Sequence, residues 1–137
     1  GVIAVVKDDN NSIKTIDDLA GKKIAVKNGT EGAKLAEDAL KGKSNISVFE
    51  DSVSMYKAVE NGQADAAFED LPVAGYTIKI TPDSKLKIAT EKLTSGNYGF
   101  MTKKGANTEL MEKFNKGLKT LKESGEYDKI VEKYIGK

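Results

Sequence analysis

The sequence contains no cysteine, no histidine and no arginine, and all 22 of its basic residues are lysines. Without cysteine there is no disulfide and no thiol nucleophile. With histidine missing as well, a zinc site of the Cys/His type is excluded. The usual general base for chemistry near neutral pH is also gone. The lack of arginine removes the planar fork that most often grips a carboxylate or phosphate. Charge of one sign is scarce too: 21 acidic residues balance the lysines to a net +1, which leaves no electrostatic footprint for nucleic acid. No apolar run is long enough to span a bilayer, and no signal-peptide pattern heads the chain. The start at Gly1-Val2-Ile3 reads as a trimmed sequence from which targeting information has been removed.

What remains is an ordinary globular composition, 39% hydrophobic and 31% charged over 137 residues, enough for a real core. The chain is organised around Lys23-Ile-Ala-Val-Lys27-Asn-Gly-Thr30-Glu31-Gly32. Ile24 to Val26 suit a buried strand, Gly29 permits a tight bend, and Thr30 can cap a helix beginning at Glu31. The open N–H groups of that first turn favour an anion, and Lys27 is expected to add a charge nearby. Most such turns bind nothing, so this stretch needs a second feature before it reads as a site.

Along the chain, Val2 to Val6 is a continuous apolar run of the kind buried on both faces. Lys7 to Lys14 is a loop, and Thr15 caps a short helix with Asp17 and Asp18 in its first turn. The helix from Glu31 is expected to reach about Lys41 before Gly42. A strand follows at Ile46, Val48 and Phe49, then a helix capped by Ser52 with Val53, Tyr56 and Val59 at threefold spacing and Met55 and Ala58 alongside. Ala64 to Phe68 is a strand of small residues, Asp70 caps the next helix with Pro72 in its first turn, and Leu86 to Ala89 is a further strand. This alternation points to a doubly wound α/β layer, in which ligands sit at the carboxyl ends of strands. Lys27 to Glu31 and Glu69-Asp70 occupy two such ends. Beyond Gly96, Tyr98 to Thr102 reads as a strand. A long helix from Asn107 or Thr108 then carries Leu110, Phe114, Leu118 and Leu121 on one face. A last helix carries Tyr127, Ile130, Val131 and Tyr134. These stripes are packing surfaces.

Asp70 is the most informative residue. Its carboxylate can pair with a ligand ammonium, or only cap the helix that follows; one oxygen can do each. Opposed to the helix start at Glu31, it would suit a zwitterion, an amino acid more readily than a sugar or metal. Glu69 either points to solvent or lines the site and reads a side chain. Glu31 contributes its backbone N–H with its carboxylate turned outward. Gly29 to Lys34 lacks the spacing of a phosphate-binding loop, and no serine has neighbours for nucleophilic catalysis.

At these residues the chain resembles the family 3 polar amino-acid-binding proteins of ABC importers. Asp17-Asp18-Leu-Ala-Gly21-Lys22-Lys23-Ile-Ala-Val-Lys27-Asn-Gly-Thr30 is similar to the start of that family's second lobe. Asn61-Gly62-Gln63-Ala64-Asp65-Ala66 with Asp70-Leu-Pro72 is similar to its next landmark. Asn97-Tyr98-Gly99-Phe100, Lys104-Gly105 and Glu109-Leu110, Ser124-Gly125-Glu126-Tyr127-Asp128-Lys129-Ile130 and Tyr134-Ile135-Gly136 resemble its end. The resemblance implies the type II periplasmic-binding-protein fold: a doubly wound three-layer second lobe over 1–94, with a return strand and two helices over 95–137 that belong to a first lobe whose N-terminal part is absent. It implies that Asp70 holds the ligand's α-ammonium, that Thr30 and the Glu31 amide meet its carboxylate, that Lys27 contacts the side chain as in glutamine binders, and that Glu69 varies with specificity. The expected function is capture of a polar L-amino acid, with glutamine the first candidate, for delivery to an ABC transporter permease. No cofactor, metal or catalysis is expected.

The implied location is extracytoplasmic, as a cell-surface lipoprotein, a permease-fused domain or a periplasmic protein. The family's first lobe supplies an aromatic stacking face and an arginine clamp, so this chain is expected to carry half a site. Its C-terminal stripes would pack on the Val2–Val6 side or on a second chain in a domain-swapped homodimer. The alternatives are a dehydratase on the same scaffold, with Glu69 as the one candidate acid, a ligand-sensing domain of a membrane receptor, and a doubly wound interaction domain without a small ligand.

Overall fold

The computed structural model describes residues 1–135, so the Gly136 of the closing Tyr134-Ile135-Gly136 motif lies outside the described residues. The chain divides into two compact units, 1–96 and 97–137. The first contains β1 (Val2–Lys7), β2 (Lys23–Lys27), α1 (Glu31–Leu40), β3 (Asn45–Phe49), α2 (Ser52–Glu60), β4 (Ala66–Asp70), α3 (Leu71–Ile80) and β5 (Leu86–Ile88). The strands form one sheet in the order β3-β2-β4-β1-β5. β2 runs parallel to β3 and to β4, as helix crossovers between neighbouring strands allow. β1 runs antiparallel to both its neighbours, so the sheet is mixed.

Strand alternation sorts the core into two layers. Val2, Ala4 and Val6 of β1, Ile24 and Val26 of β2, and Ala66 and Phe68 of β4 pack with Leu19, Ala36 and Leu40 on the α1 side. Ile3, Val5, Ala25 and Ala67 pack with Met55, Tyr56, Ala58, Val59 and Ala74 on the α2 and α3 side. Each large side chain removed from water here contributes about 1.5–3 kcal/mol. Both faces of β1 are thus packed by residues of its own unit. The segment after β5 follows β1 with hydroxyls in place of a regular ladder. Thr90 Oγ1 accepts from Ala4 N at 3.0 Å and Thr94 Oγ1 from Val2 N at 3.0 Å.

Several local expectations change. Asp51, not Ser52, caps α2, accepting from Ser54 N at 2.8 Å. Val53 is 66% exposed and outside the buried stripe of Met55, Tyr56, Ala58 and Val59. The segment after Thr15 is only a 3-10 turn, Asp17–Leu19, with Ile16 at its N-cap. Asp18 does not serve a helix start; its Oδ2 accepts from Lys14 N, Thr15 N and Thr15 Oγ1, which closes the preceding loop. These bonds hold its carboxyl below the usual range. β4 starts later than expected and carries Glu69 and Asp70 within the strand.

The second unit contains α4 (Thr108–Glu123) and α5 (Glu126–Tyr134). Tyr98 to Thr102 forms no strand, a correction with a simple cause: a lone extended segment without a ladder partner cannot satisfy its backbone. Within this unit Phe100 instead stacks on Phe114 of α4, ring centroids 4.3 Å apart. Asn107 takes a left-handed conformation, φ 57°, just before α4.

Candidate functional site

β2 and β4 are adjacent and parallel, so their carboxyl ends come out side by side. The chain after β2 bends through Gly29, φ 69°, into α1. Thr30 caps that helix as the sequence predicts: its Oγ1 accepts from Ala33 N at 3.2 Å and donates to Lys27 O at 2.7 Å. Glu31 is the first residue of α1, and its side chain is exposed.

Gly32 decides how close α1 comes to the sheet. A Cβ placed there would lie 3.0 Å from Phe68 Cβ and 3.2 Å from Phe68 O. Glycine lets the first turn of α1 rest on β4 just before Glu69 and Asp70; any side chain would have to push β4 away by a few tenths of an ångström. Gly96 lies beside the Glu31 carboxylate, but that exposed side chain could swing away from a Cβ placed there. The close approach at Gly32 is not visible in the sequence, where this glycine looks like ordinary punctuation.

The alternation of β4 then separates its last two residues. Glu69, in phase with Ala67, turns to the α2 side; Asp70, in phase with Phe68, falls on the α1 side. Asp70 occupies the N-cap position of α3 but makes no side-chain capping bond there, which corrects the expected capping role. Pro72 sits in the first turn of that helix as predicted.

Lys27 and Glu69 meet on the α2 side, and Ser52 joins them. Lys27 Nζ donates to Ser52 Oγ at 2.8 Å, Ser52 Oγ donates to Glu69 Oε2 at 2.7 Å, and Lys27 Nζ lies 3.5 Å from the same oxygen. Glu69 Oε1 accepts from Asp70 N at 3.1 Å. Glu69 is only 5% exposed and Lys27 28%. The option that Glu69 points to solvent is therefore excluded, and the Lys27 charge is engaged by a carboxylate. Ser52 went unnoticed in this role because it stands where a helix cap is expected; its hydroxyl is committed to Glu69, and Asp51 takes the cap. The Tyr56 hydroxyl is buried close to Glu69 and Thr77. Burial, and after it the Glu69 carboxylate, push the Tyr56 phenol well above its ordinary range.

A depression of about 690 Å³ opens beside this rim between α1 and β3, lined by Val26, Thr30, Ala33, Ile46 and Val48 among others. Glu69 and Asp70 do not line it. Among the described residues no group of acidic side chains is arranged to hold a metal ion, and no helix is long and apolar enough to cross a membrane.

Comparison with known proteins gives this geometry a context. Residues 2–137 match the model for bacterial extracellular solute-binding proteins, family 3. The chain is 33% identical to the ABC transporter arginine-binding protein 1 of Escherichia coli strain K12, over 96% of this chain and 55% of that protein. It superposes on the substrate binding domain 2 of Lactococcus lactis GlnP in an open conformation with a TM-score of 0.82 and 36% identity, covering 99% of this chain and 58% of that one. It matches an ancestral arginine-binding protein bound to glutamine with a TM-score of 0.73 and 36% identity, over the whole of this chain and 60% of that one. The chain spans about half the length of the curated relatives it matches. The mixed five-stranded sheet with helices on both faces is the lobe architecture of type II periplasmic binding proteins. The chain belongs to the bacterial extracellular solute-binding proteins of family 3.

Proposed function

We propose that this chain supplies one lobe's share of a binding site for a polar L-amino acid, with glutamine the first ligand to test, and that the whole protein delivers it to an ABC transporter permease outside the cytoplasm. The observation that carries the reading is the packing of Gly32 on Phe68, which sets the open first turn of α1 beside Asp70. In this reading the Thr30 hydroxyl and the Glu31 N–H receive the ligand's carboxylate, and Asp70 receives its ammonium through a charge-assisted bond. Lys27 and Glu69 stand on the side-chain end of the ligand.

Residues 1–94 are read as the second lobe and 95–137 as part of the first, including the two helices whose apolar faces are exposed in their own unit. A first lobe, or a swapped second copy of the chain, is the proposed cover for those faces. Binding rather than catalysis is favoured because Glu69, the one candidate acid for a dehydratase, has both oxygens engaged. The location is read as extracytoplasmic, whether periplasmic, lipid-anchored or fused to a permease.

The test is calorimetric titration of the full-length gene product with L-glutamine and other L-amino acids, before and after Asp70→Asn. A loss of at least about tenfold in affinity with the fold intact supports the ammonium role. Unchanged affinity rejects it. The 137-residue chain alone is expected to bind at about millimolar strength or weaker, near −4 kcal/mol, because half of the contacts are missing.

A further inference from the structure

Two different surfaces meet at the carboxyl rim of β2 and β4. The α1 side holds Asp70 and the Thr30-capped helix start; the α2 side holds Lys27, Ser52 and Glu69. An amino acid whose main chain lies on the α1 side must send its side chain across the rim onto the α2 side. There it meets a charge pair already closed by protein groups. Glu69 Oε2 takes the Ser52 hydroxyl and faces the Lys27 ammonium, and Oε1 takes the Asp70 N–H. Lys27 in turn gives a hydrogen to Ser52.

We infer that the Lys27–Ser52–Glu69 triangle is a charge filter that selects an uncharged polar side chain and disfavours both arginine-like and glutamate-like ligands. The inference rests on the amino-acid reading above and adds the ligand class. A guanidinium would have to compete with Lys27 for a carboxylate that is almost fully buried, and would bring a second positive charge beside the first. A ligand carboxylate would have to draw Lys27 from Glu69 and leave that carboxylate buried and unpaired. An amide or hydroxyl does neither, and Lys27, more exposed than Glu69, still has donor hydrogens to offer it. The relation is specific: removing either charge should open the site to ligands carrying a charge of that same sign.

The test is titration of the full-length gene product with L-glutamine, L-arginine and L-glutamate. Glutamine should bind at least about tenfold tighter than either charged ligand. Lys27→Met should move the arginine-to-glutamine ratio toward arginine by about tenfold or more, and Glu69→Gln should move the glutamate-to-glutamine ratio likewise. The double variant, neutral again, should return to preferring glutamine as the two opposed charge effects cancel; a merely structural pair would not shift the two ratios in opposite senses. If Lys27→Met does not fold, Ser52→Ala opens the triangle with both charges kept, and the penalty on both charged ligands should shrink. A wild-type preference for arginine or glutamate, or ratios untouched by these substitutions, overturns the filter. If Asp70→Asn abolishes binding while the ratios stay fixed, only the filter falls. If no amino acid binds the wild type, the functional reading falls with it.

Discussion

The two units of this chain use the same kind of pattern with opposite results. In the first, apolar residues at strand and helix periods are buried against each other, and side chains such as Phe68 and Ile24 are out of water. In the second, α4 and α5 carry equally regular stripes, yet Leu110, Phe114, Leu121, Ile130 and Tyr134 are exposed and neither helix buries a residue. Amphipathicity is a property of a segment; burial is a property of a pair. Within its own unit a helix hairpin with one apolar face has nothing to turn that face against, and i,i+4 ion pairs such as Lys113–Glu109 add only about 0.3–0.5 kcal/mol each. The first unit, in contrast, covers both faces of its sheet with its own helices.

That contrast can be broken most forcefully at Phe68 and Phe114. Phe68→Ala should cost about 3–5 kcal/mol in the first unit, seen as an early denaturant midpoint. Phe114→Ala, at a side chain 37% exposed, should cost well under that, roughly 1 kcal/mol, most of it the stack with Phe100. Equal losses would mean that the second unit has a core of its own. Gly32→Val comes next: a side chain driven into β4 should destabilise the first unit by about 1–3 kcal/mol and, by lifting α1, weaken ligand binding more than stability alone explains. A variant with native affinity would show that α1 need not rest on β4.

Smaller effects follow from titration. The Tyr56 phenol is raised in the folded state, so stability is intact below the ordinary tyrosine range and falls as pH climbs above it, where only the unfolded chain ionises. Tyr56→Phe should flatten this alkaline fall in unfolding melts; an unchanged slope would assign it to other groups. Asp18 is lowered, so its contribution is present above the ordinary carboxylate range and is lost as pH drops through it. Asp18→Asn should slightly reduce the acid sensitivity of the first unit without touching α4 or α5, a difference readable by residue-resolved hydrogen exchange.

Much of the site was legible from residues alone. Thr30 caps α1, Gly29 makes the bend, and Lys27, Glu69 and Asp70 stand at strand ends, as glycine, threonine and β-branched runs predict. Other parts were hidden by residues with two plausible employments. Ser52 looks like a cap and is a bridge; Asp51, one place earlier, does the capping. Asp18 looks like helix-start charge and closes a loop. Thr90 and Thr94 look like loop polarity and stand in for strand partners of β1. In each case local chemistry permits both roles and a distant partner chooses.

The sequence by itself determined most of the strands and helices, where the glycine bend falls and which charged residues end up at the sheet's rim, because these follow from neighbours a few positions apart. The strand expected from Tyr98 to Thr102 and the helix expected after Thr15 are the exceptions. The sequence could not determine that β1 runs against the rest, since a strand's direction is set by its pairing with β4 and β5, which lie far along the chain. Nor could it determine that Glu69 and Asp70 part to opposite faces, or that Lys27, Ser52 and Glu69 close on one another. Those depend on register and on distances between elements far apart in the chain, which only the packed sheet supplies. The apolar faces of α4 and α5 make the same point from the other side: the sequence wrote the stripe, and only a tertiary partner can bury it.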